Sequence, residues 1–80
     1  MSKDKFDEIK DEKGNSLIMV AVQNGNPEIL QLLLRQGALV NEQNHEGNTA
    51  FHFAVQCKRR RCQEILLAEG ADESIENHEG

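Results

Sequence analysis

Three histidines, His45, His52 and His78, and two cysteines, Cys57 and Cys62, are the side chains that could ligate a metal or assist a nucleophile. Their spacing favours neither role. The cysteines stand five apart without a C-x-x-C pair, and no His/Cys set has the spacing of a zinc site. A disulfide would have to join a residue in a turn to one on a helix face, so both cysteines are expected as reduced thiols in a reducing compartment. No Ser-His-Asp set, paired carboxylates in an apolar setting or phosphate-cradling glycine loop is present, so neither catalysis nor a cofactor is expected.

The remaining chemical feature is a run of cations, Lys58-Arg59-Arg60-Arg61. Such a run suits an acidic protein partner, a phosphate group or a nuclear-import signal, or it is a solvated turn whose arginines pair with Glu64 or nearby acids. The import signal fits least, because those receptors read extended segments and Arg61 should be helical. The chain carries a net charge of −5, and outside this run five basic residues face fourteen acidic ones. An acidic body with one basic spot argues against broad nucleic-acid binding.

What positions these residues is a repeat. Asn44-His45-Glu46-Gly47 returns unchanged as Asn77-His78-Glu79-Gly80, an offset of 33 residues. The same offset carries Gly14 to Gly47 to Gly80 and Gly37-Ala38 to Gly70-Ala71. It also carries Ala21-Val22-Gln23 to Ala54-Val55-Gln56, and Leu33-Leu34 to Leu66-Leu67. A fixed period of this size reads as stacked units, each burying an apolar face on the next. The expected organisation is an N-terminal cap or tail over 1–10, unit one over 11–43, unit two over 44–76, and the start of a third unit over 77–80. In the first segment Phe6 and Ile9 are spaced to lie over the open end of unit one.

Within unit one, Ser16 is a helix N-cap before the apolar segment Leu17 to Val22, and Gly25 closes that helix in the left-handed position. Asn26-Pro27-Glu28 then starts a second helix: a capping side chain, a proline whose missing N–H costs nothing, and an acid at the positive helix end. Ile29, Leu30, Leu32, Leu33 and Leu34 are expected to form its apolar face, and Gly37 to end it. In unit two Thr49 caps a helix through Gln56. Cys62, Ile65, Leu66 and Leu67 line the next helix, which stops at Gly70. The predicted fold is all-α, a solenoid of helix-turn-helix units joined by hairpin-like loops. The longest apolar run is far too short to span a membrane. No secretory signal is evident in the charged N-terminal residues, so the expected location is the cytoplasm, with the nucleus as the alternative. Two units and a stub read as a piece of a longer protein, with neighbouring repeats or a partner chain covering the C-terminal end.

The segment Gly47-Asn48-Thr49-Ala50-Phe51-His52-Phe53-Ala54-Val55 resembles the G-x-T-P-L-H-L-A-A signature of the ankyrin repeat family, with Ala50 in place of proline. Gly25 to Leu34 resembles G-H-x-E-V-V-K-L-L-L, and Gly37-Ala38-Leu39-Val40-Asn41 resembles G-A-D-V-N. There are departures. Ser16-Leu17-Ile18-Met19 lacks the proline and the histidine, Lys58 replaces an inter-helix glycine, and Glu73 stands where an apolar residue usually packs.

The resemblance implies a non-catalytic protein–protein interaction scaffold. Hairpin tips and the exposed side of the first helices would together meet a partner. Those positions are Glu12, Lys13 and Asn15, then His45, Glu46 and Asn48 at the tips, with Gln23 and Asn24, then Gln56 and Cys57, on the first helices. It also implies that His52 bonds to the loop around Thr49 and that Phe51 and Phe53 fill core. The alternatives are an architectural segment of a large assembly, or electrostatic binding of an anion or nucleic acid through Lys58, Arg59, Arg60 and Arg61.

Overall fold

Short apolar runs form four helices in the computed structural model, which describes residues 9–77. Helix α1 spans Leu17–Gln23, α2 Pro27–Arg35, α3 Ala50–Gln56 and α4 Arg60–Ala68. The expected packing of Phe6, and everything concerning His78 to Gly80, lies outside the described residues.

The helix ends follow from local chemistry. The Ile29 N–H donates to Asn26 Oδ1 at 3.3 Å, with Pro27 in the first turn of α2. Each helix closes with the same pair of backbone bonds. After α1, Asn26 N–H reaches the Ala21 carbonyl and Gly25 N–H the Val22 carbonyl, both at 2.9 Å. This closure requires a left-handed residue, and Gly25 supplies it at φ +67. After α3 the same bonds run from Arg59 to Ala54 and from Lys58 to Val55, but the left-handed residue is Lys58, at φ 57. The expected departure from glycine is therefore real, and the backbone does not relax to avoid it.

Helices of seven to nine residues are not stable alone in water, so packing must hold them. α1 pairs with α2 and α3 with α4 within the units; α1 packs on α3 and α2 on α4 between them. The core is Ile18, Met19, Ala21, Val22, Leu30 and Leu34 from unit one, with Ala50, Ala54, Cys62, Ile65 and Leu66 from unit two. Phe51 and Phe53 pack against it, half-buried.

This arrangement corrects the expected apolar face of α2. Leu30 and Leu34 are buried, but Ile29 and Leu32 are 43% and 50% exposed. The reason is the stacking direction. Leu30 and Leu34 face unit two, whereas Ile29 and Leu32 correspond at the 33-residue offset to Cys62 and Ile65, which in unit two are covered by unit one.

Candidate functional site

At each hairpin an acceptor side chain folds the tip back on itself. Asp11 Oδ1 takes the N–H groups of Lys13 and Asn15, both at 2.9 Å, and Asp11 Oδ2 takes Asn15 Nδ2 at 2.9 Å. One unit later, Asn44 Oδ1 takes the N–H groups of Glu46 at 3.0 Å and Asn48 at 2.9 Å. Successive hairpins are then joined by side-chain amides. Asn44 Nδ2 donates to Asn15 Oδ1 and Asn77 Nδ2 to Asn48 Oδ1, each at 2.8 Å.

Asn15 and Asn48 are accordingly 7% exposed, turned inward rather than presented at the tips. Their expected orientation is corrected: a short amide that bridges two hairpins cannot also face solvent. The recurrence of Asp11, Asn44 and Asn77 at one offset was the signal for this ladder.

The other tip residues are outward. Glu12, Lys13, His45 and Glu46 are exposed. His45 N–H donates to the Lys13 carbonyl at 3.0 Å, and its ring lies across Gly14. A Cβ on Gly14 would stand 2.5 Å from His45 Cδ2, and its φ of +79 also favours glycine, so this close approach needs the bare backbone. On the first helices Asn24, Gln56 and Cys57 are exposed and Gln23 is half-buried. An open groove of about 570 Å³ is lined by Lys10, Asp11, Glu12, Lys13, Asn15 and Gln23. It brings the unit-one hairpin and the end of α1 onto one surface. At its edge Lys10 pairs with Glu42 at 2.9 Å.

His52 fixes the unit-two hairpin from behind. Its Nδ1 accepts the Thr49 N–H at 2.8 Å, and Thr49 Oγ1 accepts the His52 N–H at 3.3 Å. With Nδ1 an acceptor, Nε2 carries the proton and donates to the Ile75 carbonyl at 2.8 Å, tying the next loop to α3. In unit one Met19 stands at the equivalent position. The Ser16 N–H donates to its sulfur at 3.4 Å, and Ser16 Oγ is buried without a partner.

The basic run lies at the opposite end of the helix pairs from the tips. Arg59 is drawn into the fold, Nη2 donating to the Gln23 carbonyl at 3.1 Å, while its guanidinium lies against Gly25. The anticipated pairing of the arginines with Glu64 is not formed. Cys57 and Cys62 are free thiols, the first exposed and the second buried; burial raises the Cys62 pKa. Among the described residues no cluster of His, Cys, Asp and Glu could hold a metal ion, and no helix is long and apolar enough to cross a membrane.

Two helix pairs in register, with stitched hairpins on one side, define a helical-repeat array of the kind that presents a surface. The family model for ankyrin repeats, in three copies, matches residues 2–77, and this chain belongs to the ankyrin repeat family. A crystal structure of the ankyrin repeat domain of Bcl-3, described as a unique member of the IkappaB protein family, is similar to it at 34% identity and a TM-score of 0.88. That similarity covers 92% of this chain and 32% of the other, so the chain spans about a third of that domain. No curated protein matches the sequence. The ankyrin repeat is an interaction fold rather than a catalytic one.

Proposed function

We propose that the chain is a non-catalytic protein–protein interaction module of a larger repeat-containing protein of the cytoplasm or nucleus. The partner surface is formed by Glu12, Lys13, His45 and Glu46 at the tips, with Gln23, Asn24, Gln56 and Cys57 along the first helices. The observation that carries this is the groove joining the unit-one tip to Gln23. Asn15 and Asn48 contribute by setting the spacing of the tips rather than by touching a partner. Because the ladder holds the tips before any partner arrives, binding there loses little ordering entropy. The test is photo-crosslinking from His45 and Gln56, with Gln36, exposed beyond the end of α2, as the control position. Adducts to one protein from the first two and not from Gln36 support the reading. Adducts from Gln36 alone defeat it.

A second reading, an architectural segment between neighbouring repeats, is favoured by one observation. Val55 and Leu67 are 50% and 42% exposed, whereas their counterparts Val22 and Leu34 are buried by the following unit. The two readings are compatible, since they use different faces.

A further inference from the structure

We infer that the turn Lys58–Arg61 is a docking site for a carboxylate-rich segment of a partner protein. This rests on the chain being a protein-binding module and adds to it a cationic patch at the far end of the helix pairs from the tips, adjoining Gln23 and Cys57 of the proposed surface.

Unit one is an internal control for this turn. At four matched positions it has Gly25-Asn26-Pro27-Glu28 where unit two has Lys58-Arg59-Arg60-Arg61, and the backbones agree. The left-handed residue has φ +67 in one and +57 in the other. The N-cap residue has φ −116 and ψ 83 in one and φ −92 and ψ 78 in the other. At each position the unit-one residue suits that backbone better. Glycine tolerates the left-handed region and lysine is strained there. Asn26 caps α2 with its side chain, whereas Arg59 gives α4 no side-chain cap. Pro27 is preset for a first helical turn, and Glu28 complements the positive helix end that Arg60 and Arg61 oppose.

Among the described residues only the Arg59 side chain finds a partner, the Gln23 carbonyl. Lys58, Arg60 and Arg61 are exposed, and no acid among those residues pairs with them. Four consecutive departures from the better local choice, all toward positive charge, mark a segment specified by something other than the fold. Arg59 anchors the turn, so the three remaining cations project from a fixed base. Two are arginines, whose planar forks match carboxylates in a bidentate way.

Charge complementarity selects a protein segment over nucleic acid. The chain has fourteen acidic residues against five basic ones outside this turn. A continuous phosphate backbone leaving the patch would meet repulsion, whereas an acidic peptide concentrates its charge locally.

The test uses the full 80-residue chain and a variant with Lys58→Gly, Arg60→Pro and Arg61→Glu, the residues of unit one. The probes are a short poly-L-glutamate peptide, a DNA oligonucleotide of matched charge, and inorganic phosphate. Poly-glutamate is expected to shift the amide resonances of residues 58–62, more weakly as salt rises, and to bind the variant about tenfold more weakly or worse. The variant is expected to melt at a higher temperature than the parent. Shifts confined to residues 58–62 in the parent and lost in the variant are what a merely solvated turn would not give; the gain in stability reports the relief of strain at Lys58.

Poly-glutamate binding to parent and variant alike, or shifting no resonance at low salt, overturns the inference. So does DNA binding more tightly at the same residues, phosphate alone reproducing the shifts, or a variant less stable than the parent. Crosslinking from His45, at the tips, is read separately, so a failure here is distinguishable from a failure of the module reading.

Discussion

Lys58 is the residue at which local backbone preference is most clearly overridden. A non-glycine side chain at φ 57 crowds its own carbonyl, and Gly25 shows what the same closure uses when nothing opposes it. Lys58→Gly alone should stabilise the chain by about 1 kcal/mol, or raise Tm by about 4–8 °C for a domain of this size. Urea unfolding of the single variant measures it, and a loss of stability would contradict the assigned strain. Asp11 gives a pH-dependent counterpart. Bonds from the Asn15 side chain, then from the N–H groups of Asn15 and Lys13, lower its pKa below the ordinary 3.8. A carboxylate with a lowered folded pKa adds stability above its unfolded value, and that contribution is lost as pH falls through the folded value. Asp11→Asn should therefore be less stable than the parent near neutrality, with the gap closing on acidification below about pH 4. A gap constant from pH 7 to acid would exclude this source.

At the scale of the element, α2 separates what a pattern can specify from what only a neighbour can. Its start, stop and helical phase were legible, because Asn26, Pro27, Glu28 and Gly37 act within a few residues of themselves. Which leucines are covered was not, because i, i+3, i+4 spacing marks a broad stripe and the stacking direction decides which edge of it is buried. Leu30→Ala should cost about 2–5 kcal/mol, whereas Leu32→Ala, at a half-exposed site on a helix that favours alanine, should cost under about 1 kcal/mol. Denaturation midpoints of the two variants test this, and equal losses would mean that both faces of α2 are covered. The candidate surface divides the same way. Glu12, Lys13, His45 and Glu46 were recognisable as tip residues from the repeat. The inward turn of Asn15 and Asn48 is completed by amides 29 residues away, which neighbouring residues alone do not reveal. The role of Arg59 was hidden for the same reason, since its partner is a backbone carbonyl of the preceding unit.

At the scale of the whole molecule, the stack ends on surfaces whose counterparts inside it are dry. Val22 and Leu34 are buried between the units, and Val55 and Leu67 repeat them one unit later without cover. Adding a copy of residues 44–76 directly after Glu76 would place its first residue, an asparagine, where Asn77 now bonds to Asn48, so the ladder continues in register. Burying the exposed parts of Val55 and Leu67 should contribute about 1 kcal/mol each. Further gain should come from the other contacts of the new interface, because stability in such arrays is a sum over units and nearest-neighbour interfaces. The extended chain should thus unfold at a higher temperature and more cooperatively than the parent. The decisive control is Val55→Asp with Leu67→Asp. In the parent both positions face water, so the pair should change stability little; in the extended chain it buries two carboxylates and should remove the gain. If the aspartates weaken both chains equally, Val55 and Leu67 are not the stacking contact, and the direction of the array inferred from Val22 and Leu34 fails with them.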